Sequence, residues 1–107
     1  MREVEIMQAI QLEASRMGAR LFRNNVGTLQ DIRGQYVRYG LCIGSADLIG
    51  WLHGGRFLAV EVKRPGGKPT KEQAAFLAAV NASGGLGILA RSVEDFTRGI
   101  SGNSRTE

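Results

Sequence analysis

The sequence has a single cysteine and a single histidine in 107 residues. Cys42 alone cannot close an internal disulfide, and one thiol with one imidazole cannot build a zinc site; it is expected to fill core. His53 stands at an expected turn, so no serine or cysteine nucleophile has a histidine base and triad hydrolysis is excluded. No apolar run exceeds a few residues and none follows a basic start, so neither a membrane span nor a signal peptide is expected, and the chain is placed in the cytosol. Aromatic residues are few; Trp51, Tyr36 and Tyr39 could stack on bases, but packing in core and sheet is their expected fate. What is present, 43% hydrophobic and 22% charged residues, excludes wholesale disorder and a fibrous architecture. The length suits one domain, placed at residues 1–100, followed by a polar tail over 101–107.

The net charge of +4 is unevenly spread. Residues 16–38 hold Arg16, Arg20, Arg23, Arg33 and Arg38 against Asp31 alone, and residues 56–71 hold Arg56, Lys63, Arg64, Lys68 and Lys71 against Glu61. Two basic stretches suit a phosphate backbone, since each neutralised phosphate releases condensed counterions.

Ile6, Met7, Ile10, Ala14 and Met17 recur at helical spacing, predicting an amphipathic helix over 2–17 that stops at Gly18. At about 100° per residue, Glu3 falls near the middle of its apolar face and Glu5 points away. A wet first-turn carboxylate favoured by the helix dipole would account for Glu3 equally well. Apolar runs bounded by glycines predict strands over 20–24, 35–39, 46–51 and 56–63. The Gly54-Gly55 pair joins the last two as an antiparallel hairpin. Residues 64–69 form a loop, and Thr70 with Gln73 has the form of a capping box opening a helix through Phe76, Leu77 and Val80. Gly84-Gly85 ends that helix, residues 87–90 make a buried strand, and Ser92 with Asp95 caps a last helix to about residue 98. This order indicates an α/β sandwich with helices flanking a mixed β-sheet. A phosphate-binding loop at Gly66-Gly67-Lys68 fails, because Val62 and Pro69 stand where it needs Gly and Ser or Thr.

Charged residues inside apolar strands carry the chemistry. Alternation over 57–63 sets Glu61 and Lys63 on one face with Phe57 and Ala59, and Val60 and Val62 on the other. A hairpin centred on Gly54-Gly55 brings Asp47 opposite roughly residue 62, diagonal to both charges. Two carboxylates at this range repel unless a cation bridges them, and such oxygen ligands suit Mg²⁺, with Mn²⁺ able to substitute. A phosphodiester could then be hydrolysed with Lys63 holding the attacking water. A plain Glu61–Lys63 ion pair at a sheet edge, with Asp47 capping a turn, would use the same residue types.

Four segments in order, Arg23-Asn24-Asn25-Val26-Gly27, Gly44-Ser45-Ala46-Asp47, Glu61-Val62-Lys63-Arg64-Pro65-Gly66-Gly67 and Thr70-Lys71-Glu72-Gln73, resemble the stand-alone phage and bacterial VRR-NUC domain. That domain belongs to the nuclease superfamily named for its PD-(D/E)XK signature, and the similarity spans about residues 3–96. Ala46 departs from the proline that often precedes the aspartate. The resemblance implies a restriction-endonuclease-like three-layer sandwich and a metal-dependent DNA endonuclease. Its ligands would be Asp47, Glu61 and the Val62 carbonyl, with Lys63 as catalytic lysine. A glutamate of the first helix would complete the acidic site, Glu3 by the helical-face argument or otherwise Glu5, and Gln73 would orient water. Arg23, Asn24, Asn25, Arg64 and Lys68 would face the DNA backbone. Small members are similar to Holliday-junction resolvases, which implies a homodimer acting on branched DNA such as a four-way junction. The competing expectations are a non-catalytic nucleic-acid-binding module, and a flap or RNA endonuclease of the same fold.

Overall fold

The computed structural model describes residues 1–102. They form α1 (Glu3–Arg16), β1 (Arg20–Arg23), β2 (Gly27–Gln30), β3 (Tyr36–Tyr39), β4 (Leu48–Trp51), β5 (Phe57–Val62), α2 (Lys71–Ala82), β6 (Leu86–Ala90) and α3 (Val93–Gly102). Near-continuous apolar runs in β4, β5 and β6 bury both faces of one sheet, ordered β1-β4-β5-β6. β5 pairs with β6 in parallel and the other neighbours are antiparallel, so the sheet is mixed.

The period of two in β5 assigns its residues to different helices. Leu58, Val60 and Val62 pack with Ile6, Ile10 and Ala14 of α1 and Phe96 of α3. Ala59 turns the other way, toward Leu77 and Val80 of α2. Two helices on one face and one on the other make three layers, the architecture of a restriction-endonuclease-like fold. α2 starts where expected: Thr70 Oγ1 accepts from the Gln73 N–H at 3.1 Å, and the Thr70 N–H donates to Gln73 Oε1 at 2.8 Å. These reciprocal bonds satisfy two amides that the first turn leaves without partners.

Several expectations are corrected. The strand expected at 35–39 is β3, and it leaves the main sheet to pair with β2 in a separate two-stranded hairpin. Residues 27–30 carry one apolar side chain, so no alternation announced β2. Residues 24, 46 and 47 fall outside the strands: the Asn24 N–H still donates to the Asp47 carbonyl, but toward β5 the side chains of Asn24 and Asp47 take over the bonds of Ala46 and Val62. The β4–β5 turn centres on Gly54, since Leu52 and Arg56 still bond at 2.8 Å; the register therefore leads Asp47 toward 61 instead of 62. Positive φ at Gly54 and Gly55 allows this tight turn. Cys42 is exposed and fills no core. Tyr36, Tyr39 and Trp51 are exposed too, because among the described residues no helix covers the hairpin or the outer part of the sheet. α3 continues through residues 101 and 102, where the polar tail was expected to begin, and 103–107 lie outside the described residues.

Gly50 shows how closely β1 and β4 approach. A Cβ there would lie 1.9 Å from the Arg20 carbonyl oxygen, a backbone atom that cannot yield without breaking the pairing. Gly50→Ala should therefore destabilise the protein by about 2 kcal/mol or more, lowering the melting temperature by roughly 10 °C. Thermal unfolding followed by circular dichroism checks this, and an unchanged midpoint would contradict the close approach.

Candidate active site

The site arises where β4 and β5 part. Their ladder runs from Trp51↔Phe57 to Leu48↔Val60, and its next hydrogen-bonded pair would set Val62 opposite Ala46. That pair does not form. The Ala46 carbonyl instead accepts from Asn24 Nδ2 at 2.8 Å, and the Val62 N–H donates to Asp47 Oδ2 at 2.9 Å. The Asp47 carboxylate thus replaces a strand carbonyl.

Asn24 holds this departure in place. Its N–H donates to the Asp47 carbonyl at 2.8 Å, and Nδ2 donates a second bond to Ser45 Oγ at 2.8 Å. The Ser45 hydroxyl in turn donates to the Cys42 carbonyl at 2.7 Å. Both hydrogens of the Asn24 amide are therefore spent inside the protein, which corrects its expected place among the groups facing DNA. The internal demand was invisible in sequence because its acceptors lie 21 and 22 residues away.

Glu61 is 1% exposed. Its Oε2 lies 3.5 Å from Lys63 Nζ, and its Oε1 is buried without a hydrogen-bond partner among the described residues. Burial, reinforced by the charge of Asp47 and opposed by Lys63, pushes the Glu61 carboxyl up to about 7. A buried acceptor left unpaired costs about 1–3 kcal/mol. Two acids share one ammonium and leave Glu61 Oε1 unpaired, and these oxygen donors fit a hard divalent cation. The Val62 carbonyl faces the same edge of β5 as its N–H, hence toward Asp47.

The other expected residues divide. Glu3 does not join the acidic pair: α1 covers the opposite face of the sheet, and Glu3 Oε2 accepts from the Arg64 N–H at 3.3 Å. Among the described residues no three acidic, histidine or cysteine side chains form a group able to hold a metal. Glu5 is committed at the helix start, accepting from the Arg2 N–H at 2.8 Å. Gln73 shares with Asp47 and Asn25 the wall of a cavity of about 460 Å³. Its Oε1 serves the capping box, and its side-chain amide nitrogen has no partner among the described residues. Arg23, Arg64 and Lys68 are exposed, and among the described residues their side chains form no ion pair.

Arg91 has a role the sequence reading missed. Its Nε and Nη2 donate to the Gly67 carbonyl at 3.0 and 2.7 Å, anchoring the loop that leaves Lys63. The parallel register ends at Val62↔Ala90, so Arg91 follows β6 where Lys63 follows β5. Assigning that parallel pairing in advance would have exposed the role.

A family profile described as the VRR-NUC domain matches residues 5–94. No curated protein matches the chain.

Glu61 also sets a pH dependence. It holds a proton up to about 7 when folded, against an ordinary 4.5, so between those values the folded chain binds the extra proton. Stability must then fall as pH rises through this window, by on the order of 2–3 kcal/mol from this group. Urea unfolding in chelator at pH 5 and pH 8 should show that loss in the wild type and a smaller one in Glu61→Gln. Equal losses in both proteins would rule out Glu61 as the source.

Proposed function

The chain belongs to the VRR-NUC family and is a nuclease of the PD-(D/E)XK type; on that premise we propose that it acts on DNA as a Mg²⁺-dependent, structure-selective endonuclease that resolves four-way junctions as a homodimer. The observation that carries this reading is the unpaired, buried Glu61 Oε1 beside Asp47 and Lys63.

In this reading Asp47, Glu61 and the Val62 carbonyl would hold the divalent ion, which would supply Lewis-acid polarisation of the scissile phosphate and acidify the attacking water. Lys63 Nζ carries three donors; one faces Glu61 Oε2, and the others can orient water and offset charge gathering on the phosphate oxygens. Water attacks phosphorus and releases a proton to solvent, and the bond from phosphorus to the leaving sugar oxygen breaks as that oxygen takes up a proton from solvent. The free amide nitrogen of Gln73 gives a further donor on the cavity wall. Arg23, Arg64 and Lys68 supply exposed cations for the DNA backbone, and Asn25 lines the path to it. Glu3 acts on Arg64 from behind, holding the turn after Lys63.

Support for the homodimer comes from the part of the sheet that α2 leaves bare. Phe22, Trp51 and Phe57 are 52%, 47% and 41% exposed there, and the Phe22 and Trp51 rings lie 5.6 Å apart. A two-fold pair of sites suits the two symmetric strands of a four-way junction.

Cleavage of labelled four-way junction, flap and linear duplex with Mg²⁺ tests the reaction. The junction should be cut fastest, and Glu61→Ala and Lys63→Ala should each lose at least about a hundredfold. Activity surviving both substitutions would end the nuclease assignment to this site. Calorimetry with Mn²⁺ should give binding heat that Asp47→Asn abolishes; its absence in the wild type would favour a binding module instead. Light scattering should find a dimer that Trp51→Glu dissociates, and a wild-type monomer would remove the homodimer.

A further inference from the structure

The hairpin of β2 and β3 belongs to none of the machinery above, yet it borders it. Among the described residues both strands pair only with each other, and nearly all their residues are exposed. An isolated two-stranded hairpin is marginal in water, so its order depends on how its base is fixed. The Tyr39 ring lies across Gly27, where a Cβ would sit 2.5 Å from the Tyr39 oxygen. A Cβ at Gly40 would likewise be 2.4 Å from the Asn25 carbonyl oxygen. The arm is thus packed at its root against the segment that positions Asp47.

Its two faces differ in chemistry. The register sets Thr28 opposite Arg38 and Gln30 opposite Tyr36, and alternation places these four on one face with Leu29 and Val37 on the other. Thr28 and Arg38 line the same cavity as Asp47 and Gln73. The polar face therefore continues out of the cavity to Tyr36, which is 75% exposed. The arm's only acid, Asp31, is tied into the turn, where Oδ1 accepts from the Arg33 and Gln35 N–H groups at 2.9 Å each. Among the described residues the Arg33 and Arg38 side chains have no hydrogen-bond or ion-pair partner.

We propose that the β2–β3 hairpin is a substrate-binding arm that holds an unpaired stretch of the DNA strand leading into the cavity, with Arg38 on a phosphate and the Tyr36 ring stacked on a base. The inference rests on the nuclease reading for what occupies the cavity. The chemistry follows from the two side chains. A guanidinium without a counter-ion in a polar cavity is a phosphate ligand. An exposed phenol ring offers a stacking surface, and a base inside a duplex already has both faces covered, so only an unpaired base can use it. The arm thereby gives the site a preference for branch points at which bases are left unpaired, including pairs that open at the crossover of a four-way junction.

Fluorescence anisotropy of the whole protein in chelator separates binding from cleavage. The probes are a forked duplex with unpaired arms and a fully paired duplex of the same sequence. The wild type should bind the fork about tenfold more tightly, as one stacked base provides. Tyr36→Ala should shrink that advantage to about twofold or less, Tyr36→Phe should keep it, and Arg38→Ala should weaken binding to both probes. A fork advantage unchanged by Tyr36→Ala overturns the arm. So does a hairpin whose only sensitive position is Leu29, with Leu29→Glu altering oligomeric state and not DNA affinity, because the arm would then be a protein contact. If the fork advantage behaves as expected but no DNA is cut with Mg²⁺, the nuclease reading fails and the arm stands.

Discussion

A carboxylate occupies the place of a backbone carbonyl where two central strands separate. The Val62 N–H needs an acceptor, and with the Ala46 carbonyl drawn to Asn24 only Asp47 supplies one. This substitution opens the end of the sheet, fixes the Asp47 side chain toward β5 and sets it on the face that carries Glu61. Pairing to the end of the strand would have left a closed sheet edge, with Asp47 free to turn to solvent. Loss of the strand pair is offset locally, because Asn24 Nδ2 satisfies the released Ala46 carbonyl and Asp47 Oδ2 satisfies the released Val62 N–H.

The electrostatics follow from that arrangement. A fully buried Glu61 has one distant ammonium partner and one unpaired oxygen, a configuration that the fold would discard if it served stability alone. Anchoring is concentrated around it instead. Arg91 ties the loop after Lys63, Thr70 and Gln73 close the start of α2, and Glu3 reaches the Arg64 amide from the far layer. These groups hold the frame while leaving the acidic pair underpartnered. Such local violation of good pairing inside a consistent fold is the mark of a site kept for chemistry.

Much of this was legible in the chain. The period of two in residues 57–63 placed Glu61 and Lys63 together, the Gly-Gly turn delivered Asp47 to them, and Thr70 with Gln73 announced α2. The helical angle of Glu3 correctly set it on the packed side of α1 and Glu5 outside. It could not show that α1 lies against the opposite face of the sheet, so the three-acid site was not formed. β2 was missed because Gly27-Thr28-Leu29-Gln30 has neither alternation nor β-branched density, so the hairpin it forms with β3 was not foreseen.

Sequence alone determined which residue types lie in each element and which face they share, because helical and strand periodicities are local properties of the backbone. It also determined the charge of the molecule and the two-residue spacing of Glu61 and Lys63. Tertiary structure decided the rest: that Asn24 is consumed internally, that Arg91 anchors the Gly67 loop, that Cys42 is exposed, and that the hairpin borders the cavity. Each of those depends on a partner 20 or more residues away or on which layer an element joins, and no local pattern encodes such a distance.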